Sequence, residues 1–411
     1  MVFHAEDLDL LRAQFPALRR THNGRPIAFF DGPGGTQVPQ QVLDAIADSY
    51  INKNANFDGA FSTSQDNTAA TWQVRETVAT FLGAESANCI SFGANITSLN
   101  YALSRAVGRG LEAGDEILIT ALDHEANCGP WLGLAREGIV VNEISMLADG
   151  TLDYADIENK ISNKTKLIAF GLASNALGTV NDASRITAAA KNVGALTVAD
   201  AVHYAAHFPV DVSALDIDFL LCSAYKFYGP HIGILSARSG LLDTFDTDRL
   251  STQKQNAPYC IETGTLNYPA LAGVGAAIEF IAELGEGNDL GARAQHAMGA
   301  IHQHEMRLAE RYWHGLKSMN SVNVHGPSIE ENRTPTVSFS CAATRPEDIS
   351  ARLADRALQV WHGHFYAQRV LDSLDLNSNG GLLRVGMSAY NTEQEVDRLL
   401  NALEDVTRRR A

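Results

Sequence analysis

The sequence predicts an α/β fold, in which a mostly parallel β-sheet is covered by helices and is followed by a smaller α+β region. Two observations predict it. Short β-branched and apolar runs alternate with amphipathic segments along the first part of the chain, and after about Tyr268 this rhythm changes to long helical stretches. Parallel strands need crossover connections, which are usually helices, so alternating strand and helix signals are typical of a parallel sheet.

The predicted domain organisation follows the same change of pattern. A long helical stretch, ARAQHAMGAIHQHEMRLAERYWHGLKSM, precedes the strand-like run TPTVSFSC and the closing helix NTEQEVDRLLNALEDVTRR. We expect an N-terminal segment at residues 1–26 that packs with the small domain, a large domain at 27–289 and a small C-terminal domain at 290–411. The predicted strands of the large domain are NCISFGA, DEILITALD, GIVVNEIS, TKLIAFGLAS, ALTVAD, DFLLCSA and GILSAR.

Composition and charge exclude several classes of partner. The chain has 411 residues, 45% of them hydrophobic, and its formal net charge is −16. Nucleic acids and anionic membranes attract basic surfaces, so neither is an expected partner. No apolar run is long enough to span a bilayer, and the start, MVFHAEDLDLLRAQFPALRR, has acids where a signal peptide needs a basic and then an apolar segment. We therefore expect a cytoplasmic protein.

The cysteines predict neither a disulfide framework nor a zinc site. Their number is odd and no two of them form a C-x-x-C pair, so we expect no metal site and read most of them as small buried hydrophobic residues. The five are Cys89, Cys128, Cys222, Cys260 and Cys341.

Polar residues follow the predicted strands, where an open α/β sheet binds its ligands. A lysine, carboxylates and imidazoles should therefore converge at one edge of the sheet. Each has an ordinary alternative, because Lys226 could snorkel to solvent, Asp200 could cap a loop or helix, and the histidines could be core residues. The strand-end residues are Asp123, His124, Ser174, Asn175, Asp200, His203, Ser223 and Lys226.

The chemistry that needs these groups together is that of pyridoxal phosphate. A lysine on a fixed, partly apolar loop can form a Schiff base with the cofactor, and Asp200 can keep the pyridine nitrogen protonated. An imidazole can stack on the ring. The phosphate needs backbone N–H groups at a helix N-terminus, which Gly93, Ala94 and Asn95 in SFGANITSLNYAL would offer.

Six segments carry a resemblance to a known family. They are FFDGPGGTQVP, NANFDGAFST, SNALGT, ADAVHYAAHFPVDVSALDIDFLLCSAYKFYGPHIGIL, ETGTLN and LLRVGMSAYNTEQEVDRLLNAL. Together they resemble the class V aminotransferases, which are pyridoxal-phosphate enzymes, and most of all the cysteine desulfurase and selenocysteine lyase branch. The resemblance implies a fold-type I enzyme with a large domain built on a seven-stranded sheet, a smaller C-terminal domain, and a homodimer.

The resemblance also assigns the cofactor-binding residues. It makes Lys226 the Schiff-base lysine, Asp200 the partner of the pyridine nitrogen, and His124 the stacking imidazole that also moves protons. His203 stands where desulfurases usually have a glutamine beside the phenolic oxygen, and an imidazole N–H can make the same hydrogen bond. Four residues fall at phosphate-binding positions of the same subunit and a fifth reaches the partner subunit's cofactor. They are Ala94, Asn95, Ser223 and Tyr225, with Thr265 for the partner.

Substrate recognition is assigned in the same way. Arg384 falls at the position that holds the substrate carboxylate, for which a planar guanidinium is suited. Asn175, His364 and Tyr366 are expected beside the substrate, which the resemblance makes a small amino acid.

One departure from the family decides the expected reaction. The segment WHGHFYAQRVL resembles the loop that carries the desulfurases' nucleophilic cysteine, but Tyr366 stands at the cysteine position. A phenol does not replace a thiolate as the acceptor of sulfur. We therefore expect a lyase that eliminates a β-substituent or cleaves a C–S bond without a protein persulfide. Transamination, racemisation or epimerisation, and desulfuration through another cysteine are the alternatives.

The sequence does not favour two other classes of protein, a dinucleotide-dependent oxidoreductase and a catalytically silent scaffold. The glycines of DGPGG, Gly32, Gly34 and Gly35, lack the G-x-G-x-x-G spacing of a dinucleotide loop. We therefore expect a tight loop near the active site rather than an NAD-dependent oxidoreductase. A catalytically silent scaffold is disfavoured because the lysine, the aspartate and the arginine are all present.

Overall fold

The computed structural model describes residues 5–407, so the predicted N-terminal segment lies in part, at residues 1–4, outside the described residues. In chain order the strands are β1 (Thr21–His22), β2 (Arg25–Pro26), β3 (Ala28–Phe29), β4 (Ile90–Gly93), β5 (Glu116–Thr120), β6 (Val140–Ile144), β7 (Thr165–Gly171), β8 (Leu196–Asp200), β9 (Phe219–Ser223), β10 (Gly233–Ala237), β11 (Val322–His325), β12 (Thr336–Cys341), β13 (Leu358–Gln359), β14 (Trp361–Gly363) and β15 (Leu382–Gly386).

The seven predicted runs form one sheet, which confirms the mostly parallel arrangement. Its strand order is β4-β10-β9-β8-β7-β5-β6. Only β10 runs against its neighbours, since it pairs antiparallel with both β4 and β9. The carboxyl ends of the other six strands therefore lie at the same edge of the sheet. The predicted site residues come directly after these strand ends.

Helices cover both faces of this sheet because its strands are apolar on both sides. On β7, Ile168 and Phe170 pack into one core, and Leu167 and Ala169 pack into the other. In chain order the helices are α1 (Ala5–Ala13), α2 (Gln40–Asn52), α3 (Ser62–Leu82), α4 (Ile96–Gly108), α5 (Glu125–Leu132), α6 (Tyr154–Lys160), α7 (Ala183–Val193), α8 (Tyr268–Glu283), α9 (Leu290–Lys317), α10 (Pro346–Ala354), α11 (Gln368–Ser373) and α12 (Glu393–Thr407). None of these described helices combines the length and apolar character that crossing a bilayer requires.

A second sheet follows, with the strand order β11-β12-β15-β14 and antiparallel pairing throughout. Its core includes Phe339, Val385 and Leu399. The early strand β3 pairs with β13, and Ala28 packs into this same core, so the beginning of the chain also contributes to the second layer. The domain limits at residues 26 and 289 stay predictions.

A buried ion pair anchors β4, which leads into the site. Arg75 of α3 makes two hydrogen bonds to Glu262, at 2.7 and 2.8 Å, and also donates to the carbonyl of Ile90. Glu262 in turn accepts the N–H of Phe92 at 2.8 Å. Both side chains are buried, and their mutual bonds compensate for the loss of water. The two residues lie 187 positions apart, and no local sequence pattern predicts that they pair.

We expect Glu262→Gln to lower the free energy of unfolding by about 3–5 kcal/mol, because it leaves the Arg75 guanidinium charged and uncompensated in the core. Denaturant titration measures this loss. Glu347→Gln, which removes a half-exposed ion pair with Arg345, is the control and should change stability little. An E262Q variant as stable as the parent would show that the pair is not a stability determinant.

Candidate functional site

One cavity at the carboxyl edge of the large sheet collects most of the predicted site residues. It is also lined by residues from the loop before α2 and from the segment that carries β14 and β15. Five predicted residues do not line it: Gly93, Ala94, Ser174, Thr265 and His364. The predicted residues that do line it are Asn95, Asp123, His124, Asn175, Asp200, His203, Ser223, Tyr225, Lys226, Tyr366 and Arg384.

Lys226 points into this cavity. Its side chain is buried, and its Nζ donates a hydrogen bond to the carbonyl of Pro33. The snorkelling alternative is therefore wrong, because Phe227 and Tyr228 are core residues and the amine does not reach solvent. Aromatic residues follow Lys226 because the chain continues into the core directly after β9, where Phe227 and Tyr228 are buried.

The glycine-rich loop holds the lysine segment in place. Thr36 donates its N–H to the carbonyl of Tyr225, and its hydroxyl accepts the N–H of Tyr228. Gly35 has a φ of +148°, and a Cβ there would lie 3.1 Å from the Tyr225 ring, so glycine permits both the turn and the close approach. The prediction of a tight loop beside the site is confirmed, since Pro33 and Gly34 line the cavity.

Burial changes the charge state of the lysine. Burial, together with the like charge of Arg384, lowers the pKa of Lys226 to about 7, although Asp200 and Asp31 act in the opposite direction. No carboxylate among the described residues forms an ion pair with Lys226. At neutral pH a substantial fraction of this amine is uncharged, and an uncharged amine is the nucleophilic form.

Two carboxyl groups lie at or just after the ends of β8 and β5, the two strands that flank β7 in the sheet. Asp200, the last residue of β8, accepts the N–H of Val202 at 2.8 Å, and burial raises its pKa to about 6. Burial and the charge of Asp200 raise the pKa of Asp123 to about 7. Asp123 accepts hydrogen bonds from the Gly171 N–H and from the Asn127 side chain. Through its hydrogen bond with Val202, Asp200 caps a local turn, and the same residue also lines the cavity.

His124 is held in one tautomer. Its Nδ1 accepts the N–H of Ala126 at 3.0 Å, so the side chain caps α5 and the neutral ring carries its proton on Nε2. Burial, followed by the charges of Lys226 and Arg384, lowers the pKa of His124 to about 4. The imidazole is therefore neutral at pH 7, and Nδ1 is not free to accept a proton.

His203 connects the two sheets. Its Nε2 lies 3.0 Å from the hydroxyls of both Thr334 and Thr336, the second of which belongs to β12. Its Nδ1 is buried and has no partner among the described residues. Burial, and after it the charge of His207, lowers the pKa of His203 well below its usual value.

The N-terminus of α4 lies at the cavity, where the sequence predicts the phosphate-binding N–H groups. Asn95 caps this helix by accepting the N–H of Ser98 at 2.9 Å, and Asn95, Ile96 and Ser223 line the cavity. The N–H groups of Ile96 and Thr97, in the same first turn, have no intrahelical partners and can bind a phosphate. Gly233 lets β10 approach this turn, because a Cβ there would lie 2.3 Å from the Asn95 backbone.

Arg384 is aligned by its neighbours. Its Nη1 donates to the carbonyl of Asn175 at 2.9 Å, and its guanidinium lies 4.3 Å from the centre of the Phe365 ring. Its Nε is buried without a partner among the described residues, and burial lowers the pKa of the group to about 9. The guanidinium is thus still charged at neutral pH and has donor capacity left for an anion.

Sequence reasoning missed Phe365 and Trp361, which also line the cavity. Trp361 reaches the site because β14 pairs with β15 opposite Arg384. Their only sequence signal was their proximity to Tyr366 in an aromatic loop. That signal did not show which of the rings turns inwards.

The residues present fit pyridoxal phosphate. Three lining residues keep a buried polar atom without a partner among the described residues, namely Nδ1 of His203, Oδ1 of Asn175 and Nε of Arg384. Buried polar groups are normally paired, so such atoms are expected where a polar ligand binds. By contrast, no group of three or more potential metal ligands occurs within residues 5–407.

Comparison with known proteins agrees with this chemistry. The family model described as aminotransferase class-V matches residues 28–399. A cysteine desulfurase of Serratia proteamaculans is 32% identical and covers 97% of this chain and 98% of its own length. One of Escherichia coli K12 is 32% identical and covers 98% of each chain.

Solved structures show the same fold. The apo cysteine desulfurase of Thermococcus onnurineus superposes with a TM-score of 0.88 at 28% identity, covering 97% of this chain and 98% of that one. The cysteine desulfurase CsdA of Escherichia coli gives a TM-score of 0.84 at 27% identity, with 99% of each chain covered. The fold is therefore fold type I of the pyridoxal-phosphate enzymes, as predicted.

The lowered pKa of Lys226 predicts its reactivity. In protein freed of cofactor, reductive methylation of Lys226 should rise with pH through a midpoint near 7, because the amine loses its proton there. Lys191, whose side chain is exposed, is the labelling control. Peptide mass spectrometry after brief labelling at several pH values measures both. A Lys226 midpoint that matches that of Lys191 would contradict the electrostatic account.

Proposed function

Because the chain belongs to the aminotransferase class-V family, whose members depend on pyridoxal 5′-phosphate, we propose that it is a lyase acting on a small α-amino acid without forming a protein persulfide. The observation that carries the proposal is the set of residues that line the cavity. Of its described lining residues none is a cysteine, and Tyr366 lies where the family resemblance places the nucleophilic thiol.

Eight residues of the same subunit would hold the cofactor. We assign Lys226 to its carbonyl carbon, Asp200 to its ring nitrogen and His124 to its ring face. His203 would donate to the phenolic oxygen through Nδ1, and the phosphate would be held by Ala94, Asn95, Ser223 and Tyr225. When bound, the cofactor supplies an electron-accepting ring for the bond that breaks at the substrate's Cα.

Arg384 would bind and orient the substrate. A carboxylate that meets the free edge of the guanidinium gains charge-assisted hydrogen bonds in a buried setting. The contacts with the Asn175 carbonyl and the Phe365 ring fix the plane of the guanidinium, and hence the direction from which the carboxylate approaches. Orientation of this kind selects which bond to Cα faces the catalytic groups.

Lys226, rather than His124, would move the proton at Cα. A general base works best when its pKa lies near the operating pH, and that of Lys226 is about 7. His124 already uses Nδ1 to accept the Ala126 N–H. Its assigned role is therefore to stack on the ring and donate through Nε2, which narrows the proton-moving role that the family resemblance suggested.

The positions of the thiols support the proposal that no persulfide forms. Cys89, Cys128, Cys222 and Cys260 are buried, and Cys341 is in β12 of the second sheet. Burial raises the pKa of both Cys128 and Cys222, which disfavours the thiolate form that would attack sulfur. The relatives named cysteine desulfurases thus share the fold and the family, while this chain would release its product directly.

The subunit arrangement and location belong to the same proposal. Thr265 is exposed and does not line the cavity of its own chain, which suits a residue that completes the site of a second copy. We therefore propose a homodimer in the cytoplasm. Dimer formation would place Thr265 beside the partner's phosphate cradle.

The experiment that tests the function is a comparison of the parent with a variant in which all five cysteines are replaced by serine or alanine. A screen of amino acids for release of pyruvate, ammonia, sulfide and keto acid identifies the substrate and the reaction class. We expect the cysteine-free variant to keep activity within about threefold, because no thiol reaches the substrate.

Intact mass after incubation with cysteine, without added thiol or reductant, is the second measurement. The parent should show no sulfur adduct. A stoichiometric persulfide, lost together with turnover when one cysteine is replaced, would restore the desulfurase assignment. Release of keto acid only in the presence of an amino acceptor would instead establish a transaminase.

A further inference from the structure

The loop that carries Tyr366 has an unusual backbone. Phe365 has a φ of +54° and Tyr366 a φ of +58°, and Gly363 just before them has a φ of +110°. Side-chain-bearing residues rarely adopt this left-handed region, and here two do so in succession. Such a conformation persists only where the surrounding contacts hold it.

Three hydrogen bonds hold the two residues. The Tyr366 carbonyl accepts the N–H of Glu125 at 2.7 Å, and the Phe365 carbonyl accepts from the Asn175 side chain at 2.9 Å. The Tyr366 N–H donates to Nδ1 of His364 at 3.0 Å. Two of these bonds come from residues that follow β5 and β7, so the loop is fastened across to the large sheet.

Arg369 completes this attachment. It follows the loop in α11, donates through Nη1 to Glu125, and lies 2.7 Å from Glu143 through Nε. Glu125 begins α5 and Glu143 lies in β6, the edge strand of the large sheet. The Arg369 side chain is 19% exposed, and its two carboxylate partners are nearly half exposed, so these are partly buried ion pairs that lie at the protein surface.

The attached loop places the Tyr366 ring at the mouth of the cavity. The ring centre lies 5.4 Å from that of His124, at an interplanar angle of 32°. Tyr366 lines the cavity on one side, and on the other it lines a surface depression together with Glu125, Glu143 and Arg369. Its ring therefore separates the cavity from solvent.

We infer that Arg369 is a positioning residue that, through Glu125 and Glu143, holds Tyr366 as a fixed lid over His124 and so restricts the cavity to amino acids with small side chains. The consequence for substrate size rests on the proposed function, but the positioning of the loop does not. Arg369 does not line the cavity, so it would act on a substrate only through the loop.

The experiment compares Arg369→Gln with Arg311→Gln. Arg311 is a matched control, because it also pairs with two carboxylates, those of Glu393 and Asp397, but in a contact between α9 and α12. Hydrogen exchange of peptides containing Glu125 and Tyr366 is followed by mass spectrometry. We expect exchange at these amides to be about tenfold faster in R369Q, unchanged in R311Q, and intermediate in Arg369→Lys.

Kinetics on the identified substrate give the second readout. In R369Q the ratio of kcat/KM for a bulky to a small amino acid should rise by about tenfold, mainly through KM, because the opened lid admits larger side chains. Should R369Q fail to fold, Glu143→Gln removes only one of the two ion pairs and should speed exchange by a smaller factor.

The outcomes separate the two claims. If hydrogen exchange is unchanged in folded R369Q and E143Q, the proposed role of Arg369 is wrong. It is also wrong if R311Q accelerates exchange equally, and both conclusions hold whatever catalytic activity the protein has. Faster exchange with an unaltered substrate ratio would overturn the restriction on side-chain size. Faster exchange in a protein that turns over no amino acid would support the positioning and contradict the proposed function instead.

Discussion

The site depends on one constraint, which is that an amine is buried without an ion-pair partner. Lys226 is 7% exposed, and its only described hydrogen bond is to the carbonyl of Pro33. Removal from water and the like charge of Arg384 make the ammonium form unfavourable, so the amine is ready to react near neutral pH. Such a group stays in place only if its backbone is rigid. The end of β9 and the loop at Gly35 and Thr36 provide that rigidity.

The remaining polar groups are arranged around the same low-dielectric cavity. Asp200 is the charge that a protonated ring nitrogen would meet, and the neutral imidazole of His124 adds no competing positive charge beside Lys226 and Arg384. Arg384 lies in β15 of the second sheet, and His203 contacts Thr336 of β12 in the same sheet. Both layers must therefore pack together before the site is complete. Catalytic competence is thereby coupled to the packing of the two sheets.

Local patterns were sufficient for the strands and for the residues that directly follow them, because strand order and handedness bring the carboxyl ends together. Lys226, Asp200 and His124 could therefore be predicted to meet. Contacts between distant segments could not be predicted in this way. Arg369 and Glu125, for example, lie 244 residues apart, and no local sequence pattern indicates that they pair. The orientation of Phe365 and Tyr366 was equally hidden, because it depends on an unusual backbone conformation. His364 lines the surface depression beside Tyr366 instead of the cavity, and its Nδ1 accepts the Tyr366 N–H.

The measurement that tests the central claim most directly is the attachment of the cofactor to Lys226. Protein incubated with pyridoxal phosphate should be yellow, and reduction with borohydride should bleach it and leave the cofactor mass on the peptide that contains Lys226. Lys226→Ala should carry no such adduct, while still folding. Protein that stays colourless with added cofactor, or an adduct on another lysine, would contradict the assignment of this cavity as a pyridoxal-phosphate site.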